Sequence, residues 1–113
     1  MIYKIKKNIE FRIVYKRGKS IANDLLVLYI FKNKKNKDSN GALYNKVGIS
    51  VSKKVGKAYA RNKIKRVLRA IMRLNIDKVP NSKNYVVIAR PSVVDLTYGD
   101  LEKELMQLFT KVN

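Results

Sequence analysis

The chain contains no cysteine and no histidine among its 113 residues. Without cysteine it can form neither a disulfide framework nor thiolate metal ligation, and nothing indicates an oxidising compartment. The commonest general base, the commonest thiol nucleophile and the usual zinc-ligand spacings are missing as well. We therefore expect no catalytic residue and no metal site among the side chains of this chain.

Acidic residues and glycines are also few. The chain has 8 acidic residues against 26 lysines and arginines, which leaves a formal net charge of +18. The acids form no convincing cluster for two-metal hydrolysis, and four of them lie in or near the C-terminal segment, where they suit the dipole of a helix. The five glycines are scattered singly, so there is no phosphate-binding glycine loop.

Long apolar runs are missing too. The basic start, Met1 to Asn8, lacks the apolar core of a signal peptide, and no stretch approaches the ~20 residues of a membrane span. We therefore expect a cytoplasmic protein with no membrane partner and no small-molecule substrate. Because 46% of the residues are apolar, the chain can fold, and its length fits one domain over residues 1–113.

Positive charge is concentrated in one window of the chain. From Ser39 to Ile76 there is no acidic residue. Charge of this density predicts a polyanionic partner whose binding depends strongly on salt. The basic residues of the window are Lys46, Lys53, Lys54, Lys57, Arg61, Lys63, Lys65, Arg66, Arg69 and Arg73.

Periodicity and turn residues predict an α+β sandwich with its helices against one face of a sheet. The chain order is helix, strand pair, helix, strand, helix, and Lys19 to Ala22 can add a third strand to the pair. The predicted elements are a helix over Ile9 to Arg17 capped by Asn8 and stopped by Gly18, a strand over Leu25 to Phe31, an exposed loop over Lys32 to Gly41, a strand over Ala42 to Ser52, a helix over Ala58 to Asn75, a strand over Tyr85 to Ala89, and a last helix capped by Thr97 or Ser92.

The predicted helix over residues 58–75 has one apolar and one cationic side. Ile64, Val67, Leu68, Ile71 and Met72 share the apolar arc, whereas Arg61, Asn62, Lys65, Arg66, Arg69 and Arg73 occupy the remaining arc. A solvated charged face is the simpler interpretation of an ordinary charge run. Here like charges lie four residues apart with no glutamate to offset them, which favours a nucleic-acid surface.

Three aromatic residues and one lysine pair are further candidates for RNA contacts. Phe11, Tyr15 and Tyr29 can stack on unpaired bases, although core filling is the simpler interpretation of their spacing. Lys53 and Lys54 follow a strand and lead directly into the basic helix, so we interpret them as phosphate contacts.

Several segments together resemble the protein subunit of bacterial ribonuclease P. Ala60 to Arg69 resembles the RNR motif of that family, preceded at the right distance by Val47 to Lys54. Phe11 to Gly18 resembles its N-terminal aromatic segment, and Tyr85 to Pro91 its late strand. The resemblance implies an α-β-β-β-α-β-α fold with a left-handed βαβ crossover, as in the second domain of ribosomal protein S5.

The resemblance also implies a function as one subunit of an endoribonuclease. The RNA subunit would be the catalyst and use Mg²⁺ to hydrolyse the bond between the 5′ leader and mature tRNA. The protein would bind the catalytic RNA and the precursor tRNA. The RNR helix residues would be Arg61, Asn62, Lys65, Arg66 and Arg69, with additional RNA contacts at Lys53, Lys54, Lys57, Lys63 and Arg73 and a leader cleft at Phe11, Tyr15 and Tyr29.

Three residues depart from the family pattern. Lys63 replaces the second arginine of the motif, so it keeps the charge but loses the bidentate fork. Tyr15 stands where phenylalanine is frequent, and Ala70 follows Arg69 where a glutamate or glutamine is common.

Two other classes of function stay open on the sequence alone. One is a ribosomal or RNA-assembly protein with no role in cleavage. The other is a DNA-binding or membrane-surface module, which is disfavoured because no helix-turn-helix pair is apparent and the apolar side of the basic helix suits core packing.

Overall fold

The computed structural model describes residues 2–112, which form one five-stranded sheet and three α-helices. Met1 and Asn113, the ends of the predicted domain, lie outside the described residues. In chain order the elements are β1 (Ile2–Lys4), α1 (Asn8–Arg17), β2 (Lys19–Ala22), β3 (Leu26–Lys32), β4 (Asn45–Val51), α2 (Ala58–Asn75), β5 (Lys83–Ala89) and α3 (Tyr98–Val112).

The sheet has the strand order β1-β4-β5-β3-β2 and mixes parallel with antiparallel pairs. β4 runs parallel to both β1 and β5, with Val47 opposite Tyr85. β3 runs antiparallel to β5 and to β2. Because α2 connects the adjacent parallel strands β4 and β5, these three elements form a βαβ crossover, as the resemblance implies.

The two faces of the sheet are covered by different helices. On β5, Tyr85, Val87 and Ala89 belong to the large core beneath α2 and α3, whereas Val86 belongs to a small core with Val14 of α1. The prediction that the helices lie on one face is therefore wrong for α1. The position of α1 is explained by β5, whose consecutive apolar residues must be covered on both faces of the sheet.

The helix bounds agree with the prediction better than the capping residues do. α2 spans the predicted residues. α1 begins at Asn8 itself with Lys7 as its N-cap residue and no side-chain capping bond, so the Asn8 cap is wrong. Thr97 is confirmed as a cap: the Asp100 N–H donates to Thr97 Oγ1 at 3.1 Å, and the Thr97 N–H donates to the Asp100 carboxylate at 3.3 Å.

The strands show one addition and two corrections. Lys19–Ala22 forms the possible third strand, but β3 and β4 do not pair with each other as predicted, because β5 lies between them. β1 was not predicted because its three residues are too few to carry an alternation signal. The predicted loop over Lys32 to Gly41 is not wholly exposed. Asn36 is buried and donates to Asn84 Oδ1 at 2.8 Å, which anchors the loop to β5. Among residues 2–112, no helix combines the length and apolarity needed to cross a membrane.

Candidate nucleic-acid interface

The cationic side of α2 forms a shallow depression on the surface. Ile64, Leu68 and Ile71 are buried against the sheet and fix the rotation of the helix. The basic arc therefore faces outward, as the sequence predicts. The depression, which we call the α2 depression, is lined by Tyr59, Asn62, Lys65, Arg66 and Arg69.

Side chains of the α2 depression differ in exposure. Asn62 and Arg66 are exposed, whereas Lys65 and Arg69 are half-buried. Half-burial removes part of the water around a cation, so a phosphate placed there is attracted more strongly than at a fully solvated lysine. Among the cations that line the depression, Lys65 and Arg69 are thus the most constrained.

Arg61 and Arg73 lie at the two ends of the basic row. Arg61 is half-buried, and its Nε atom is enclosed by protein without a hydrogen-bond partner among the described residues. Arg73 is exposed and lines a narrow crevice with Arg69 and with Lys4 of β1. The basic surface of α2 therefore reaches the edge strand of the sheet.

Lys53 and Lys54 lie on a short 3₁₀ turn, Lys53–Val55, between β4 and α2. The Lys54 N–H donates to Ser52 Oγ at 3.2 Å, and the Val55 side chain is buried in the large core. This anchoring holds both exposed lysines on an ordered turn. Lys57, the N-cap residue of α2, and Lys63 are also exposed, so all four additional lysines predicted to contact RNA are accessible.

A second recess, the α1 cleft, lies between α1, the end of β4 and α2. Pairing with β1 ends at Val47, so the following residues of β4 have no strand beside them on that edge in the part of the chain that is described. The open edge leaves room for a groove. Its walls are Asn8, Phe11, Arg12, Tyr15, Ile49, Ser50, Val51 and Lys65.

The three predicted aromatic residues form a chain of contacts along this groove. The ring centroids of Phe11 and Tyr15 are 6.3 Å apart, and those of Tyr15 and Tyr29 are 5.0 Å apart. Phe11 and Tyr29 are half-buried and pack on the small core, while Tyr15 is 38% exposed. The core-filling interpretation therefore holds in part for Phe11 and Tyr29, whereas base stacking stays a prediction. Phe11 and Tyr15 line the cleft, and Tyr29 contacts Tyr15.

The Tyr15 hydroxyl is held in its neutral form. Partial burial raises the pKa of Tyr15 above its ordinary value, and the nearby Tyr29 adds to the rise. A neutral phenol can donate a hydrogen bond to an RNA oxygen and does not repel a phosphate. The departure from phenylalanine at this position therefore adds a donor at the cleft wall.

Lys65 and Tyr59 connect and extend these surfaces in ways that the sequence did not show. Lys65 lines both the α2 depression and the α1 cleft, so one cation joins the two. Tyr59 is 75% exposed inside the depression and was not singled out. An aromatic residue between Lys57 and Arg61 was a usable signal. Arg12, which lines the α1 cleft, was also missed.

Acidic residues are not grouped into a metal site within residues 2–112: no three Asp or Glu side chains are placed to hold an ion together. The Asp100 carboxylate accepts a hydrogen bond from the Thr97 N–H, and Glu102 accepts one from the buried Asn75 amide at 2.9 Å. Glu104 accepts one from Asn23 at 3.3 Å. These three acids therefore have hydrogen-bond partners within the fold.

Comparison with known proteins agrees with this geometry. A curated ribonuclease P protein component of Clostridium botulinum is 52% identical over 111 residues, which are 98% of this chain and 89% of the relative's length. The solved ribonuclease P protein of Staphylococcus aureus superposes with a TM-score of 0.85 at 36% identity, over 98% of this chain and 95% of the other. That of Thermotoga maritima gives 0.82 at 30% identity, over 97% of each chain.

The family model for ribonuclease P matches residues 2–113, nearly the whole chain. The match includes both the basic helix and the aromatic segment. Together with full-length relatives and superposable structures, it shows that this chain belongs to the ribonuclease P protein family.

Proposed function

We propose that this chain is the protein subunit of a ribonuclease P ribonucleoprotein and that it binds both the catalytic RNA and the 5′ leader of precursor tRNA. The observation that carries this proposal is the junction at Lys65, where a basic helix and an aromatic cleft meet. A folded RNA needs phosphate contacts, whereas a single strand needs stacking surfaces. The chain offers the two side by side.

The α2 depression is the surface for the catalytic RNA. Arg66 and Arg69 can hold phosphates bidentately, and Asn62 adds a donor and an acceptor. Lysines on the anchored turn and along α2 add point charges that position the RNA without reading its sequence. The residues assigned to this role are Arg61, Asn62, Lys65, Arg66 and Arg69, with Lys53, Lys54, Lys57, Lys63 and Arg73 in support.

The α1 cleft receives the single-stranded leader. Phe11 and Tyr15 supply ring faces for unpaired bases, and Arg12 and Lys65 lie beside them for the backbone phosphates. Tyr29 fixes the position of the Tyr15 ring.

Catalysis belongs to the RNA subunit in this proposal. The chain lacks histidine, the commonest general base, and the carboxylates of Asp100 and Glu102 accept hydrogen bonds within the fold. The chain therefore contributes binding and orientation. Endonucleolytic hydrolysis would use Mg²⁺ held mainly by RNA, in the cytoplasm where precursor tRNA is made. The relatives from Clostridium botulinum and Clostridium beijerinckii carry the ribonuclease P name, which does not favour the ribosomal alternative.

The leader assignment is tested with the double variant Phe11→Ala, Tyr15→Ala in a reconstituted holoenzyme. We expect the variant to lose affinity for a long-leader precursor tRNA by about 1 to 3 kcal/mol per lost stack, and to bind a short-leader substrate as the wild type does. Tyr98→Ala is the control, because Tyr98 is similarly exposed at 39% but lies on α3. Equal losses for long and short leaders would remove the assignment.

A further inference from the structure

A second aromatic and basic cleft lies on the other side of the start of α1. Tyr3 on β1 and Tyr44, just before β4, pack edge to face with their ring centroids 4.4 Å apart. Lys6 and Lys7 line the same recess, which we call the β1 cleft. Tyr3 is 39% exposed, so part of its ring is open to a ligand. None of these residues belongs to the motifs that carry the family resemblance.

The charge of the β1 cleft is positive and only partly compensated. Its one acidic residue is Glu10, whose carboxylate accepts from Lys46 Nζ at 2.9 Å. Lys4, Lys6 and Lys7 surround the tyrosine pair without another acid among the lining side chains. Like charges close together repel one another, so a bound anion would relieve the repulsion. Cations around an exposed ring are typical of a groove for single-stranded nucleic acid.

The β1 cleft adjoins the α1 cleft across one turn of helix. Lys7 and Glu10 line the β1 cleft, whereas their neighbours Asn8 and Phe11 line the α1 cleft. Adjacent Cα atoms are only about 3.8 Å apart. Tyr3 is opposite Lys46 in the sheet register, and Lys46 reaches Glu10 of α1, so both clefts lie on the α1 side of the sheet. A single-stranded RNA that passes Phe11 and continues in this direction therefore reaches Tyr3 next.

We propose that the β1 cleft holds leader nucleotides that lie farther from the cleavage site than those in the α1 cleft. A base would stack on Tyr3, and Lys6 and Lys7 would take its phosphates. Unpaired RNA is favoured over a duplex because base faces are available for stacking only when they are unstacked from their neighbours. Leader is favoured over catalytic RNA because the cleft continues from the α1 cleft. In this respect the inference rests on the proposed function.

A fluorescence experiment reports the β1 cleft directly. The chain has no tryptophan, so Tyr3→Trp introduces a single reporter. Holoenzyme with this variant is titrated with precursor tRNAs whose leaders lengthen by one nucleotide at a time. We expect no change in emission with short leaders and a change once the leader extends past the α1 cleft. Tyr98→Trp, at the matched exposure of 39%, should respond to no leader.

Affinity measurements separate the two clefts. In the wild type we expect affinity to rise in two steps as the leader lengthens. Tyr3→Ala with Tyr44→Ala should abolish the second step, a loss of roughly 5- to 150-fold, and keep the first. Phe11→Ala with Tyr15→Ala should remove the first step. If the alanine pair at the β1 cleft does not fold, the tryptophan variant still provides the test.

Three results are decisive in different ways. If the affinity of the Tyr3→Ala, Tyr44→Ala variant increased with leader length in the same way as that of the wild type, the assignment of leader nucleotides to the β1 cleft would be overturned. A Tyr3→Trp signal that appears on adding the catalytic RNA alone and does not change with any leader would also overturn it, in favour of a contact with that RNA. Absence of protein-dependent cleavage for every substrate would instead refute the proposed function itself.

Discussion

Phe11 occupies a space that glycine at position 48 leaves open. A Cβ atom on Gly48 would lie 2.6 Å from Phe11 Cε1 and 2.7 Å from Cζ, closer than side-chain carbons approach one another. The sequence alternates the small residues Gly48 and Ser50 with apolar ones along β4, a pattern that leaves one face of the strand open to close approach. It could not show that the approaching group is Phe11, because helix and strand are brought together only by the tertiary fold.

The substitution Gly48→Ala should therefore displace the Phe11 ring from the α1 cleft. We expect the free energy of unfolding to fall by about 1 to 3 kcal/mol, as at other overpacked sites. The affinity for long-leader substrates should fall as well. Chemical denaturation and binding of long-leader and short-leader substrates measure the two effects. Gly99→Ala is the control, since its Cβ would meet only Thr97 Oγ1 at 3.9 Å. An unchanged preference for long leaders in Gly48→Ala would contradict the placement of Phe11.

Spacing alone could not decide the roles of the aromatic residues. Phe11, Tyr15 and Tyr29 all have the periodicity of core residues, and two of them are partly in a core. Tyr15 differs from the other two because it lies beside the open edge of β4, beyond the end of β1. The sequence did not reveal β1, so it could not show this position. The family resemblance, not the periodicity, pointed to a cleft.

At the scale of elements, α2 was the most predictable part of the molecule. Its 3.6-residue pattern fixes which residues face the sheet, and the buried set contains Ile64, Leu68, Ile71 and Met72 as predicted. The cationic arc follows by geometry from that burial. By contrast, β1 is short and α1 has a weaker apolar side, so neither the strand nor the face that α1 covers could be predicted.

The basic arc of α2 leads to a prediction about assembly. We expect Arg66→Ala or Arg69→Ala to weaken binding of the catalytic RNA by roughly 1.5 to 3 kcal/mol if the guanidinium contact is desolvated, because a charge-assisted hydrogen bond is lost. Dissociation constants measured over a range of salt concentrations should also show a smaller salt slope. Lys103→Ala removes an exposed charge from α3 and should change neither quantity. Equal affinities for all three variants and the wild type would refute the assignment.

For the whole molecule, the main physical constraint is unbalanced charge. The chain carries +18, and in the part that the structure describes one salt bridge forms, between Lys46 and Glu10. The folded state holds the remaining cations close together and is destabilised by their repulsion. Charge and composition predict a polyanionic partner. They could not predict how the helices divide between the sheet faces, because apolar spacing shows which residues are buried but not what covers them.

Anions should therefore stabilise the free protein. We expect the melting temperature to rise with added sulfate, because a ligand that binds only the native state raises its population. Sulfate also strengthens burial of apolar surface in general. The double variant Arg66→Ala, Arg69→Ala separates these effects, since it should show a smaller rise than the wild type. A melting temperature that does not depend on sulfate would count against anion binding.

The most direct measurement is cleavage of 5′-leader precursor tRNA at low Mg²⁺ by a bacterial ribonuclease P RNA, with and without this protein. We expect cleavage at the leader junction to depend on the protein under these conditions, and the RNA alone to cleave only when Mg²⁺ is raised. RNA binding with no effect on cleavage would contradict the role as a ribonuclease P subunit. Cleavage by the protein without the RNA would contradict the assignment of catalysis to the RNA.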